Sequence, residues 1–422
     1  MKKTDDEDVK RWKSLVEEYL KDHKKIDDEM FERFFGKKAQ AEFLSGKCDD
    51  LTDAMIMGGL SGIDCRDYDF SRLCPKNYTK IPFDSDTKFP EEIAHVFDAI
   101  LEKSKEFGFG LEGLIQDGKL SGEGIHVAII DENIDMAQID TDDINIVSHD
   151  EYSSGNHYHG KITSSLLASK SCGVAKGASL HFYEKTSEEY RREADERKSN
   201  IKDEESKQEF KNWKKVKSAE DRGRTFSKIV EYNKNCENES DKITVVSGSW
   251  SLPNSEFLKW QQEFRKAGCE LVCQNNFIQN FTEISGDDVI LDMTEEEKDG
   301  FSESMRRMVE SSNLDELVKI PINRTYHRYG DATNFKYQAT YSNSWGIPQV
   351  AGLLALYKAK DRSLTFEQFC DLCRETASEK GVINPVGIYE QIEKKLENEK
   401  KVENPEIKPE EKPKTWDDDE GR

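Results

Sequence analysis

The sequence predicts an α/β fold in which a mainly parallel central sheet is covered by helices on both faces, giving three layers. Four short apolar runs bounded by turn residues predict buried strands: IHVAIID at 125–131, SLHFYE at 179–184, ITVVSGSW at 243–250 and CELVCQNN at 269–276. Helical patterns separate these runs. A helix between two successive strands is the usual connection in a parallel sheet.

Length, charge and cysteine content limit the class of protein. A chain of 422 residues can bury a large core, which favours one domain of about 300 residues with extensions over a tandem of domains. The net charge of −23 repels phosphate groups, so we expect neither a nucleic-acid nor a membrane partner. Nine cysteines and a start without an apolar signal core predict free thiols and a cytoplasmic location. The oligomeric state stays open.

Composition divides the chain into three parts. Residues 1–78 show apolar positions at helical spacing and predict an N-terminal helical extension, either a propeptide or a docking module. Residues 79–394 contain the four predicted strands and are expected to form the main domain. Within it, the charged stretch at about 187–219 predicts a solvated helical insertion. Residues 395–422 are rich in Lys, Glu and Pro, which predicts a disordered tail.

A carboxylate follows directly on the first predicted strand. Asp131 ends the apolar run 127–130, so its side chain is expected at the carboxyl end of a buried strand. Ligands of open α/β sheets bind at that edge. The alternative interpretation is an ordinary aspartate that caps a turn.

An imidazole is predicted in the first turn of a helix. His159 is followed by Gly160 and by apolar residues at 162, 166 and 167 that mark one helix face. The glycine permits a close approach of backbone, which favours His159 over the neighbouring His157. A histidine exposed on the surface is the alternative.

A serine is predicted at the start of a second, fully apolar helix. Ser344 precedes WGIPQVAGLLALY, in which Pro348 is compatible with a first helical turn. Backbone amides without partners at that helix start can stabilise an oxyanion. The alternative is a serine that only caps the helix.

The three segments resemble the signature blocks of the subtilisin-like serine proteases, the subtilases. The matching stretches are VAIID, HGKITSSLLAS with the following GVAKGASLHFYE, and SWGIPQVAGLLAL. The chain order Asp, His, Ser is that of subtilisin, and GVINP at 381–385 resembles the closing segment of the family. The resemblance covers about residues 83–392 and implies a divergent, intracellular member of bacterial type with a subtilisin-like fold.

The resemblance implies a serine endopeptidase that forms an acyl-enzyme with a peptide or protein substrate. Ser344 would be the nucleophile, His159 the general base and then acid, and Asp131 the group that orients the imidazole. In subtilases an asparagine completes the oxyanion hole. Asn276 in VCQNN is its counterpart, with Asn275 as the second choice. No cofactor and no metal site are assigned, and calcium binding stays open.

Candidate substrate-binding residues follow from the same resemblance. The small residues that wall the family's specificity pocket correspond to Cys273 and Asn275, which predicts a narrowed or altered pocket. Ser249, Trp250 and Ser251 lie in the stretch that resembles the edge to which an extended peptide adds as a strand. The alternative for this stretch is an interior strand without ligand contact.

Departures near the three blocks leave a second function open. Ser342 and Asn343 replace the family's Gly-Thr before the serine, and Asn133 replaces a glycine after the aspartate. These changes are compatible with a catalytically weak or inactive protein of the same fold that binds peptides or partner proteins.

Two further motifs lack their structural context. Gly108, Gly110 and Gly113 fit GxGxxG, but a helical pattern precedes them where a dinucleotide site needs a strand. Cys370 and Cys373 form a CxxC inside a helical pattern with no second pair. We therefore expect a loop at the glycines and buried thiols at the cysteines.

Overall fold

The structure is a computed structural model that describes residues 59–73, 78, 81–103, 110–132, 134, 136, 139, 141–149, 158–284, 317–321, 325–327, 335–337, 343–379 and 381–403. The predictions for most of the N-terminal extension, for His157, Asn133 and Ser342, and for Gly108 fall outside these residues.

Strands and helices alternate along the main part of the chain. The strands are β1 Phe83–Asp84, β2 His126–Asp131, β3 Ile146–His149, β4 Ser179–Glu184, β5 Ile243–Gly248, β6 Glu270–Cys273, β7 Phe281–Ile284, β8 Val318–Pro321, β9 Thr325–His327 and β10 Phe335–Tyr337. The helices are α1 Glu91–Lys103, α2 Leu111–Gln116, α3 Tyr158–Ala168, α4 Glu188–Ser199, α5 Glu204–Asn235, α6 Asn254–Lys266, α7 Gln274–Asn280, α8 Asn343–Lys360, α9 Phe366–Thr376 and α10 Pro385–Glu403.

The central sheet confirms the predicted fold class. Five strands lie in the order β3-β4-β2-β5-β6, and every pair of neighbours in this sheet is parallel. β2 is the middle strand, with β4 on one side and β5 on the other. Its carboxyl end, which carries Asp131, therefore lies in the centre of the sheet edge. The strands predicted from the four apolar runs all belong to this sheet.

Helices cover both faces of the sheet and create two apolar cores. Along β2, Val127 and Ile129 belong to the core that contains α8, whereas Ala128 and Ile130 belong to the core formed with α5 and α6. This alternation is the period of two expected of a strand covered on both sides. α8 is buried along its whole length from Trp345 to Lys358, so it passes through the interior of the domain.

The charged insertion forms a helical hairpin. α4 contains no buried residue, and the buried residues of α5 begin only at Asp221. The base of the hairpin is tied by Ser187, whose backbone N–H and hydroxyl both bind the Asp221 carboxylate. The second half of α5 then packs Phe226 and Ile229 against the sheet.

The predicted start of the disordered tail at residue 395 is wrong, because α10 continues to Glu403. Buried Ile388 and Ile392 anchor the first turns of the helix at a helical spacing of four. Beyond them the Lys- and Glu-rich sequence favours a helix, and Lys395 Nζ lies 2.6 Å from Asp361 Oδ2 and 3.9 Å from Glu399 Oε1. Residues 404–422 lie outside the described residues.

A histidine pair, buried His181 and half-buried His126, joins three strands of the central sheet. His126 Nδ1 and His181 Nε2 are 2.9 Å apart, and Ser148 Oγ lies 2.7 Å from His181 Nδ1. Burial, with a smaller contribution from the charge of His126, lowers the pKa of His181 to about 4. The folded protein therefore holds this ring in its neutral form across the physiological range.

Acidification is expected to destabilise the fold through His181. Between its ordinary pKa of 6.5 and about 4, the unfolded chain binds a proton that the folded chain does not. The free energy of unfolding should fall over that range by on the order of 3 kcal/mol, at about 1.4 kcal/mol per pKa unit. Urea unfolding of the protein and of His181→Asn at pH 7 and pH 4.5 measures this loss.

The matched control for this experiment is His95→Asn in the exposed part of α1. The His181 variant should show a shallower pH dependence than both the original protein and the control. Equal slopes in all three proteins would contradict the role assigned to His181.

Candidate active site

The carboxyl end of β2 and the start of α3 are joined by one short hydrogen bond. His159 Nδ1 lies 2.7 Å from Asp131 Oδ1. The Asp131 side chain is 4% exposed and that of His159 is 25% exposed. A buried carboxylate thus holds one nitrogen of a partly exposed imidazole. The other ring nitrogen, Nε2, is the one that can exchange a proton with a bound group.

Two further donors fix the Asp131 carboxylate. The backbone N–H of Glu132 binds Oδ1 at 2.6 Å, and the Thr163 hydroxyl binds Oδ2 at 2.8 Å. Both carboxylate oxygens therefore have partners, as a buried charge requires. Thr163 is not among the site residues predicted from the sequence. Its spacing of four residues from His159 is the signal, because that spacing puts both side chains on one face of α3.

Gly160 is necessary for the approach of α3 to β2. A Cβ atom at this position would lie 2.3 Å from the carbonyl oxygen of Glu132 and 2.9 Å from Ile134 Cγ2. Both distances are too short for any side chain. A larger residue would push the start of α3 away from the strand end and lengthen the bond between Asp131 and His159.

The surroundings of His159 raise its pKa above the ordinary value of 6.5. Burial is the largest influence and lowers the pKa, but the charge of Asp131 and the hydrogen bond to it raise it, and Glu132 adds to the rise. The positive charge of Lys185 opposes them. The net result is an imidazolium that is stabilised by its carboxylate partner, as a general base needs after it takes up a proton.

Ser344 is the second residue of α8 and directly precedes a residue that contacts the imidazole. The ring of the next residue, Trp345, lies 5.3 Å from the His159 ring between centroids, at an interplanar angle of 35°. The Ser249 hydroxyl, just after β5, donates to the Ser344 carbonyl at 3.0 Å. The structure thus brings the segments of Asp131, His159 and Ser344 to one edge of the sheet. Their role as a catalytic triad stays a prediction.

The two predicted oxyanion asparagines both hold backbone groups. Asn276 Oδ1 accepts from the Cys273 N–H at 2.8 Å, and its Nδ2 donates to the Leu271 carbonyl at 2.7 Å. Asn275 binds Leu252 in the same manner, with Oδ1 to the N–H at 2.7 Å and Nδ2 to the carbonyl at 2.9 Å. An amide nitrogen carries two hydrogens. One hydrogen of each side chain is committed, and an oxyanion role for either residue stays a prediction.

The predicted substrate-binding residues differ in exposure. Trp250 is buried, its indole N–H donates to the Ile130 carbonyl at 3.1 Å, and its ring stacks on Phe226 in the core. Cys273 is fully buried. Ser251 is exposed. Substrate contact through Trp250 or Cys273 would require a change in core packing. A role of Ser249 to Ser251 and of Cys273 and Asn275 in substrate binding stays a prediction.

Cys370 and Cys373 are buried in α9, where burial raises the pKa of both thiols. The cysteines in the described ranges are free thiols. In these same ranges, no group of three or more His, Cys, Asp or Glu could hold a metal ion.

No helix in the part of the chain described is long and apolar enough to cross a membrane.

Comparison with known proteins gives matches to solved structures. No protein-family model and no curated protein matches the sequence. The prenylagaramide maturation protease PagA is 11% identical, with 67% of this chain and 98% of that chain covered and a TM-score of 0.39. Proteases from Pseudoalteromonas arctica are 12% identical, with 70% of this chain and 97% of that chain covered and a TM-score of 0.39. A cold-adapted subtilisin-like serine proteinase is 14% identical, with 62% of this chain and 85% of that chain covered and a TM-score of 0.34. The solved structures that are similar include subtilisin-like proteases.

The protonation of His159 provides a first test of the site. We expect the imidazole to lose its proton at a pH above 6.5, because Asp131 stabilises the charged form. In Asp131→Asn the charge is lost and burial dominates, so the pKa should fall below 6.5. Nitrogen NMR of histidine-labelled protein measures both values, with the signal assigned by its absence in His159→Gln. Equal pKa values in the two proteins would contradict the ion pair.

Thr163 is expected to position Asp131. Thr163→Val keeps the shape but leaves a buried carboxylate oxygen without its donor, which should cost about 1–3 kcal/mol of unfolding free energy. Thr163→Ser should restore most of this loss. The control is Ser164→Ala, because the buried Ser164 hydroxyl binds the Gly160 carbonyl at 2.7 Å within its own helix. Urea unfolding and the His159 titration measure the effects.

A merely structural Thr163 would lower stability and leave the His159 titration as it was. Equal effects of Thr163→Val and Ser164→Ala on both measurements would rule out a specific role in holding the carboxylate.

Proposed function

We propose that this chain is a subtilisin-like serine endopeptidase that hydrolyses peptide bonds through an acyl-enzyme at Ser344. The observation that carries the proposal is the 2.7 Å hydrogen bond between buried Asp131 and partly exposed His159, at the sheet edge where α8 begins. The ring contact of 5.3 Å between His159 and Trp345 supports the third member, since Ser344 directly precedes Trp345.

In the proposed reaction, neutral His159 takes the hydroxyl proton of Ser344 while the serine oxygen attacks the carbonyl carbon of the peptide. The imidazolium is stabilised by Asp131, which stays ionised. His159 then gives the proton to the leaving amine and the C–N bond breaks. A water molecule, activated by the same imidazole, hydrolyses the ester and frees Ser344.

Negative charge develops on the carbonyl oxygen during the attack. The start of α8 is suited to stabilise it, because the positive end of the helix dipole lies there. The second amide hydrogen of Asn276, or of Asn275, would complete the oxyanion hole. Each donor of this kind is worth about 3–4 kcal/mol in such reactions.

The catalytic domain, the substrate-binding residues and the location of the protein are assigned on the basis of this proposed function. We infer that residues 79–394 form the catalytic domain and that an extended peptide or protein substrate binds beside Ser249, Trp250 and Ser251, with Cys273 and Asn275 near its pocket. A cytoplasmic location fits a chain whose described cysteines are free thiols.

A second candidate function is peptide or partner binding without efficient catalysis. Both candidate oxyanion asparagines donate to backbone carbonyls, Asn276 to Leu271 and Asn275 to Leu252. A protein in which these hydrogen bonds hold the second amide hydrogen of both residues away from the substrate would bind peptides at the same edge and stabilise the transition state poorly.

A fluorophosphonate probe separates the two functions. It reacts with a serine hydroxyl only when a base activates it. We expect about one label per folded protein, lost in Ser344→Ala and strongly reduced in His159→Gln. The control is Ser218→Ala in the hairpin, where labelling should be unchanged. Intact-protein mass spectrometry gives the stoichiometry.

Absence of labelling in the folded protein would favour the binding function. Labelling that persists in Ser344→Ala would assign the nucleophile to another residue.

A further inference from the structure

Trp345 carries a buried donor beside the candidate active site. The residue is 6% exposed, and its indole Nε1 has no hydrogen-bond partner among the described residues. Trp250 provides the comparison inside the same domain. It is buried to a similar degree, at 7%, and its indole N–H binds the Ile130 carbonyl at 3.1 Å. The fold therefore provides an acceptor for the indole N–H of Trp250, whereas the indole N–H of Trp345 has no acceptor among the described residues.

An unmatched buried N–H is costly. Leaving a buried donor without an acceptor costs about 1–3 kcal/mol, and native proteins contain few such groups. Buried tryptophans usually have a partner for the indole N–H. An acceptor that arrives with a ligand would recover this free energy on binding, so the position of the donor indicates where a ligand atom belongs.

The position of Trp345 restricts which ligand can supply the acceptor. It directly follows Ser344, and its ring is 5.3 Å from the His159 ring between centroids. A group bound at the imidazole would therefore lie near the Trp345 ring. The oxygen acceptors that every peptide brings to such a position are its backbone carbonyls.

The two candidate oxyanion asparagines, Asn275 and Asn276, already hold backbone groups, so a further donor at the site matters for substrate binding. The Asn276 amide bridges Cys273 and Leu271, and the Asn275 amide pairs with both backbone groups of Leu252. Each of these amides has only one hydrogen left, and the indole N–H of Trp345 is a further donor that is uncommitted within the described residues. It can donate at no cost to an existing hydrogen bond.

We propose that Trp345 is a further substrate-contacting residue, whose indole N–H donates a hydrogen bond to a backbone carbonyl oxygen of the peptide bound at Ser344. This inference rests on the proposed function and extends it. The ligand class is any peptide that presents a carbonyl at this position. The contact contributes binding or transition-state stabilisation without selecting a side chain.

Trp345→Phe tests the proposal because it keeps an aromatic ring beside His159 and removes only the donor. We expect kcat/KM for a peptide substrate to fall about tenfold, the effect of one hydrogen bond of ordinary strength. Fluorophosphonate labelling of Ser344 should persist. The control is Trp260→Phe, a buried tryptophan in the core formed with α5 and α6, where kcat/KM should stay unchanged.

A second measurement does not depend on turnover. In protein labelled with nitrogen-15 at tryptophan, the Trp345 indole signal is identified by its loss in Trp345→Phe. A peptide boronic acid that reacts with Ser344 should move this signal downfield, as formation of a hydrogen bond requires. The Trp260 indole signal should stay in place.

The outcomes separate this inference from the proposed function. An original protein that reacts with neither probe overturns the enzyme and this contact together. A protein that reacts with both probes, keeps full kcat/KM in Trp345→Phe and shows an unmoved Trp345 signal overturns the contact alone. A tenfold loss together with a downfield shift supports it.

Discussion

The hydrogen bond between Asp131 and His159 is the interaction on which the rest of the site depends. It connects the end of the central strand to the first turn of α3 at 2.7 Å. Gly160 makes it possible, because any side chain there would collide with the Glu132 carbonyl. Thr163 binds the second carboxylate oxygen from the same helix. Helix and strand are thus joined by a buried charge whose partners lie at the end of β2 and in α3.

α8 connects the site of Asp131 and His159 with the apolar core of the protein. Its buried length packs beside the central sheet, so the start of the helix is held by the core and not by a surface loop. The Ser249 hydroxyl ties that start to the end of β5 through the Ser344 carbonyl. The packing of α8 in the core therefore also places Ser344 at the site. Substitutions deep in α8 should disturb both the core packing and the site.

Much of the fold could be predicted because its strands are apolar runs between turn residues, as in VAIID and SLHFYE. The carboxyl-end position of Asp131 and the close approach at Gly160 followed from the same local signals. The helical continuation past Lys395 was not predicted although Lys, Glu and Leu favour helices, and its ion pair with distant Asp361 is visible only in the folded chain. The same limit applies to Asn275, Asn276 and Trp250. Their partners are backbone groups that only the folded chain brings near, and residue type does not reveal them.

The most direct test is the distance between Ser344 Oγ and His159 Nε2 in two high-resolution crystal structures, one of the free protein and one of its complex with a peptide aldehyde. We expect a separation of about 2.6–3.2 Å before reaction, and a covalent bond from Ser344 to the aldehyde carbon in the complex. A serine hydroxyl directed away from the imidazole in both states, with the peptide bound elsewhere, would contradict the account.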